Sequence, residues 1–349
     1  MKVLRINAPA ILGVLIVGIA GGAARSEPNV CSVSPAAVGS GETAGMAFVP
    51  GGAFAMGSDR RELEERSTHL VRVDGFWIDV HEVTNAQFQR FFDATGYVTR
   101  AEHGPDAAKK LDEEVSGPGS AVFVQPKEGG DITRWWRYVK GANWRQPEGP
   151  GSSIAGRENH PVVHIAYEDA LAFAKWLGRE LPTEAQWEYA ARGGREDATE
   201  VVGAFDADGK PAANTWQGIF PVFNTKDDGY AGSAPVGCFK PNGFGLYDMI
   251  GNVWEWTSDW YLAGHQRAPA TNPMGPNLMQ VRLAPGATPM KVIKGGSFLC
   301  AGNFCARYRA SARQPQEIDL GTSHIGFRTV LNRDPATNQA PSPKSSPFP

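Results

Sequence analysis

The sequence predicts a loop-rich domain of short helices and strands, and three observations lead there. The 41 glycines and 26 prolines among 349 residues call for many turns. Ten tryptophans supply large rigid side chains able to anchor irregular backbone. Helix-cap signals also alternate with short strand-and-turn patterns along the first half of the chain.

Taken in order, Lys2 and Arg5 precede an apolar stretch from Ala8 to Ala24 that ends on small residues, the pattern of an export signal over 1–25. A periplasmic or secreted protein is therefore expected, with an uncleaved membrane anchor as the alternative. A polar linker over 26–45 leads into one catalytic-sized domain over 46–333. A Pro- and Ser-rich tail over 334–349 is expected to be disordered. Met46–Ser58, with Pro50, Gly51 and Gly52, predicts a hairpin, and Asp74-Gly75 predicts a second between Leu70–Val73 and Phe76–Val80. Thr84 with Gln87 predicts a capped helix carrying Phe88, Phe91 and Phe92. Ala170, Phe173, Ala174 and Leu177 form the face of another that stops at Gly178. Thr183 with Gln186 opens a third, ended by Gly193-Gly194. Beyond about Gly203 helical periodicity disappears, and short strands are expected at Lys291–Lys294 and Gly326–Leu331.

The net charge of −3 and the lack of a basic run exclude a nucleic-acid partner from the expectation. The four cysteines, Cys31, Cys238, Cys300 and Cys305, are too few for a disulfide framework in so long a chain. Cys31 and Cys238 are either buried thiols or a pair; the sequence leaves both open. Cys300 and Cys305 lie within Gly295-Gly296-Ser297-Phe298-Leu299-Cys300 and the residues up to Arg307-Tyr308-Arg309. A structural zinc wants four ligands, whereas two thiolates suit a soft, low-coordinate ion such as Cu(I). Arg307 and Arg309 are expected to favour the thiolates. A small structural disulfide is the other reading of this pair. Asn214, Asp228, Asp248 and Glu255, interleaved with glycines, suit a hard cation such as Ca2+, or simply cap turns.

The stretch GGSFLCAGNFCARYRASAR followed by GTSHIGFR closely resembles the catalytic region of the formylglycine-generating enzymes, the sulfatase-modifying factors. The resemblance extends through MAFVPGGAFAMGS, GFWIDVHEVTNAQFQRFFDATGYVT, RELPTEAQWEYAARGG, NTWQGIFPVFNTKDDGY and PNGFGLYDMIGNVWEWTSDWY. It implies an irregular α+β fold related to C-type lectin-like domains. It also implies that Cys300 and Cys305 bind Cu(I), that a substrate thiol joins them, that O2 is the oxidant, and that Ser297 and Trp254 belong to the active site. The implied partner is an unfolded sulfatase segment with a Cys-X-Pro-X-Arg core, met by a monomer. Two structural calcium sites follow from the same resemblance. One uses Asn214 and Asp228 with backbone oxygens of Thr215 and Tyr230. The other uses Asp248 and Glu255 with backbone oxygens of Gly251 and Val253. Departures from the family pattern are Ala310 and Thr329, where vertebrate members carry cysteines, and His324, where some carry asparagine.

Other signals carry less. His81-Glu82 opens no HExxH motif, because Asn85 holds the fifth position. His160 and His164 read as core or loop histidines beside a Val-Val strand, and Trp254-Glu255-Trp256 as a packing anchor. A mononuclear-iron relative would need a histidine triad that the sequence lacks. A non-catalytic, lectin-like binding module would have no use for the thiol couple.

Overall fold

In the computed structural model, residues 31, 41–104, 117–127, 134–195, 204–281 and 288–333 are described. The export signal, nearly all of the linker's first half and the C-terminal tail lie outside them. The chain opens with strands β1 (Met46–Val49), β2 (Gly52–Met56), β3 (His69–Val73) and β4 (Phe76–Asp79). Neither expected hairpin forms. β1 pairs with β4 and β2 with β3, in one continuous antiparallel register running from Met46↔Asp79 to Met56↔His69. The two glycine segments face each other across this bent ribbon. A Cβ on Gly51 would come within 2.8 Å of the Gly75 nitrogen, so glycine serves a close backbone crossing rather than a reversal. The true reversal follows β2, where Ser58 N–H bonds the Glu65 carbonyl (3.0 Å) around a short turn of 3-10 helix, Leu63–Glu65.

The expected helices form where their caps lie. α1 (Asn85–Thr95) begins at Thr84, whose Oγ1 accepts from Gln87 N–H while Gln87 Oε1 accepts from Thr84 N–H. A short α2 (Arg100–His103) and the ribbon β5 (Gly119–Phe123) with β6 (Trp136–Lys140) follow. α3 (Tyr167–Trp176) carries Ala170, Phe173 and Ala174 into the core. α4 (Glu184–Arg192) repeats the capping box at Thr183 and ends at Gly193, with φ of 60°.

The second half is strand and loop: β7 (Gly218–Ile219), β8 (Phe223–Asn224), β9 (Trp254–Trp260), β10 (Ala270–Thr271), β11 (Met290–Lys294), β12 (Arg313–Glu317), β13 (Ile325–Gly326) and β14 (Val330–Leu331). The central sheet runs β12-β11-β9-β13. The single strand expected over Gly326–Leu331 is split. β13 lies parallel to β9 and β14 antiparallel to β4, and Arg328 turns fully inward between them. His160–His164 is not a strand, since His164 adopts φ of 62°.

Two large apolar clusters result. One joins the bent ribbon to α4 through Phe76, Ile78, Trp187 and Met249. The other packs α1 and α3 on β9 and includes Trp144, Trp254, Trp256 and Cys300. Among the described residues no helix is long and apolar enough to cross a membrane.

Cys31 and Cys238 form a disulfide across 207 positions, which answers the choice the sequence left open. Closing so long a loop restricts the unfolded chain, so Cys238→Ser should lower stability by about 3–5 kcal/mol. The readout is the denaturant midpoint of oxidised wild type against the variant; equal midpoints would show that the bridge constrains nothing that matters to folding.

Candidate functional site

The site is built at the end of β11. Gly295 and Gly296 take φ of 97° and 80°, a conformation that favours glycine. A Cβ on Gly295 would press on the Trp187 ring at 3.1 Å. The chain therefore turns sharply over α4 and the 248–253 loop. Ser297 is fully buried. Its Oγ accepts from Leu299 N–H (3.2 Å) and its carbonyl from Cys300 N–H (2.9 Å). Ala301 and Phe304 then exchange backbone hydrogen bonds at 2.8 and 3.1 Å. This tight turn brings Cys305, in the left-handed region at φ 52°, back onto Cys300.

The two sulfurs lie 3.2 Å apart as free thiols. A disulfide would hold them at about 2.05 Å. Cys300 is 1% exposed and packs in the cluster that contains Trp254; Cys305 is half-buried. Their environments push the two thiols apart. Burial drives Cys300 well above the ordinary thiol range. The hydrogen bond from Cys300, aided by the Arg307 charge, brings Cys305 down to about 7. The expectation that Arg307 and Arg309 would favour both thiolates is thus half correct. Arg307 acts on Cys305, but Arg309 spends its guanidinium on buried Glu65, which Ser311 also reaches at 2.9 Å. Arg307 is itself held by Glu64 at 2.6 Å. The Glu64 and Glu65 clamp was not foreseen; only the acidic run at 62–65, some 240 positions away, hinted at a partner for the Arg-Tyr-Arg stretch.

An aromatic rim borders the pair. Phe304 stacks on Phe220 at 4.4 Å and 8°, and Trp135 meets both edge-on. His324 sits with its ring 4.8 Å from Trp136, and its carbonyl accepts from Trp254 N–H (2.9 Å). Two soft sulfur donors 3.2 Å apart, with no carboxylate or imidazole bonded to either among the described residues, fit a monovalent copper ion by chemistry of the donor set.

The oxygen-rich residues come together in two loops. Asp228 accepts from the backbone N–H groups of Thr215 and Tyr230 and from the Gln217 amide. Asn214 donates to Gly232 O and to Asn252 Oδ1. Among the described residues no cationic side chain pairs with Asp228, and burial raises its carboxyl against the hydrogen bonds it accepts, a carboxylate and amide donor set compatible with a hard cation. In the second loop, Asp248, Gly251 and Asn252 all take positive φ. Asp248 accepts from Gly237 N–H (2.6 Å), and burial pushes it up to about 6. Glu255 faces fully buried Arg328, which forks onto both its oxygens at 2.7 Å; the Trp187 indole adds 2.7 Å. Nearby Glu82 is completely buried with neither carboxylate oxygen partnered. Three carboxylates therefore share one guanidinium, an imbalance that a divalent cation would correct. Gly251 and Val253 lie on the same loop, between Asp248 and β9.

Among the described residues, one other group has metal-like geometry: the ligating atoms of Glu184, Glu188 and His265 lie within 4.8 Å of one another. Lys294 Nζ stands 3.1 Å from Glu188 and 3.5 Å from Glu184. Arg313 forks onto Glu184 and Arg192 pairs with Glu188. Three cations already serve two carboxylates, so this is an internal charge network with no demand for a metal.

The two histidines set aside earlier are structural. His160 Nδ1 lies 3.1 Å from Ser233 Oγ. His164 is fully buried between Ser120 Oγ and Pro147 O, both at 2.8 Å, and burial lowers it to about 4. Its folded value lies below the unfolded 6.5, so the unfolded chain takes up a proton first and stability falls as pH drops from 6.5 toward 4. At pH 5 this amounts to about 2 kcal/mol. Buried Asp169 and Asp259, raised to about 7, contribute with the opposite sign. The comparison must therefore be wild type against His164→Gln, by urea unfolding at pH 7.5 and pH 5. The variant should lose less between the two pH values; parallel losses would count against a neutral buried ring.

Similarity to known proteins covers nearly the whole described chain. A family model described as the sulfatase-modifying factor enzyme 1-like domain matches residues 33–333. The formylglycine-generating enzyme of Mycobacterium tuberculosis is 48% identical over 295 residues, covering 81% of this chain and 96% of that protein. The Mus musculus enzyme of the same name is 43% identical over 301 residues, covering 84% and 76%. Among solved structures, PvdO from Pseudomonas aeruginosa superposes with a TM-score of 0.54 at 24% identity, covering 82% of this chain and 93% of that one, which supports the loop-rich α+β fold.

Proposed function

The chain belongs to the sulfatase-modifying factor enzyme 1-like family, and on that premise we propose that it converts a cysteine of a client sulfatase to Cα-formylglycine, using copper held by Cys300 and Cys305 and dioxygen as oxidant. The observation that carries this reading is the pair of free sulfurs 3.2 Å apart, one sealed in the core and one half-buried at its edge. Monovalent copper, when bound, would supply coordination of the incoming thiol and reactivity toward O2.

The remaining roles belong to the chain. Cys305, near neutrality, is the less buried of the two thiols, and Arg307 favours its charged form. The Ser297 hydroxyl favours the charged form of Cys300 against the strong effect of burial. Trp254 closes the apolar side beneath Cys300. Trp135, Phe220 and Phe304 restrict water around a client thiol. An extended client segment with a Cys-X-Pro-X-Arg core presents its thiol without secondary structure to unwind. In the balance, the client CH2–SH gives up two electrons and two protons to become a thioaldehyde. Water replaces its sulfur as hydrogen sulfide leaves, and a thiol reductant provides the other two electrons needed to take O2 to water. Calcium at the Asp228 and Asp248 loops would fix the backbone that supports Trp216 and Trp254. Action outside the cytoplasm is supported by the Cys31–Cys238 disulfide and the leader-like N-terminal sequence.

The test is incubation of reduced protein, loaded with one equivalent of Cu(I), with a Cys-X-Pro-X-Arg peptide, a thiol reductant and air. A hydrazide-reactive aldehyde should form and should require both copper and O2. Peptide left intact by protein that retains copper would sink the proposal.

A further inference from the structure

Among the described residues, the ribbon of β7 and β8 carries a cluster of exposed apolar side chains and is joined to the thiol loop. Ile219 and Phe223 face each other across it and are 61% and 59% exposed, with Val222 between them at 42%. Single exposed apolar side chains are ordinary, but these three share one tip, and the tip is fastened to the cysteine loop. Trp216 N–H bonds the Cys300 carbonyl (3.0 Å). Asn303, in the turn between the cysteines, accepts from Phe220 N–H and donates to Phe220 O, both at 3.2 Å. The Phe220 ring stacks on Phe304. The ribbon is also braced internally, since Trp216 Nε1–H bonds the Phe223 carbonyl at 3.0 Å and Gln125 bonds the Val222 carbonyl at 2.8 Å. A rigid apolar tip loses little conformational freedom when something covers it.

We propose that this ribbon is a docking ridge for the client polypeptide, which it grips through an apolar side chain a few residues from the reacting cysteine. The inference rests on the oxidase reading for its occupant. Reach sets the spacing: Trp216 touches Cys300, and the tip begins three residues further, about 10 Å away along extended chain. An extended client with its thiol at the sulfur pair covers that distance in roughly three to four residues. Phe304, 41% exposed at the rim, stacks on Phe220 within the ribbon, so an apolar client flank has apolar side chains to meet at both places.

The experiment uses two labelled peptides with the same intact Cys-X-Pro-X-Arg core, one carrying Leu and Phe at the third to fifth positions before the cysteine and at the position just after the arginine, the other Ser at those positions. Binding is measured by fluorescence anisotropy without copper, and turnover by aldehyde formation with copper, for wild type and for Ile219→Ser combined with Phe223→Ser. Wild type should prefer the apolar-flanked peptide by about tenfold or more in both readouts, and the double variant should lose most of that preference. No preference in wild type, or one that survives in the variant, overturns the ridge. If neither peptide is oxidised but the binding preference and its loss are seen, the oxidase reading fails while the ridge stands. Sedimentation distinguishes a second copy of the chain as occupant: a dimer that dissociates in the variant, without peptide preference, also overturns the proposal.

Discussion

Cys300→Ser and Cys305→Ser are each expected to lower aldehyde formation by more than about 100-fold, since loss of even an outer partner of a metal ligand costs roughly 10–100-fold. The two variants should differ in stability, and that difference follows from position. Cys305 is half-buried at a turn, so a serine hydroxyl there can reach water, and the unfolding midpoint should barely move. Cys300 is sealed among Trp254, Phe327 and other apolar side chains. A hydroxyl in its place loses the 3.2 Å contact with Cys305 and costs about 1–3 kcal/mol if left unpaired. Cu(I) titration against a competing chelator should show that neither variant retains copper in the way wild type does. Wild-type turnover by Cys305→Ser would remove the two-sulfur site from the reaction, because that variant has no reason to be misfolded.

Where local chemistry decides the conformation, the sequence was legible. Thr84 with Gln87 and Thr183 with Gln186 each placed a helix start, because a capping box is complete within four residues. The thiol pair was legible as a unit because five positions separate its members. The bent ribbon was not. Gly51-Gly52 and Asp74-Gly75 look like reversals in isolation, and only the crossing of one segment against the other shows why glycine is needed. β9 was hidden too, because its residues Trp254–Trp260 are buried on both faces at most positions and so show no alternation. The clamp on Arg307 and Arg309 and the bridge from Cys31 to Cys238 depend on contacts more than 200 positions apart. Such contacts leave no periodic trace.

Arg328 exposes the same dependence on distant partners, and its loss should destabilise the molecule strongly. Its guanidinium is fully buried. It bonds both oxygens of Glu255, the Asp79 carbonyl at 3.1 Å and the Tyr247 carbonyl at 3.0 Å. It thereby joins β4, Tyr247 and β9, and among the described residues it is the positive side chain set between Glu82, Asp248 and Glu255. Arg328→Met keeps most of the volume but leaves those carboxylates facing one another in a dry interior. The expected loss is at least about 3–5 kcal/mol, the range for removing one partner of a buried pair. Most of that penalty is the stranded charge rather than the missing bond, so a second substitution should recover part of it. Arg328→Met with Glu255→Gln should be more stable than Arg328→Met alone, as measured by urea unfolding at pH 7.5. If the single variant unfolds like wild type, the charge cluster is neutralised by something other than this guanidinium. If the double variant is worse than the single, Glu255 holds the fold through Trp187 and β9 rather than through its charge.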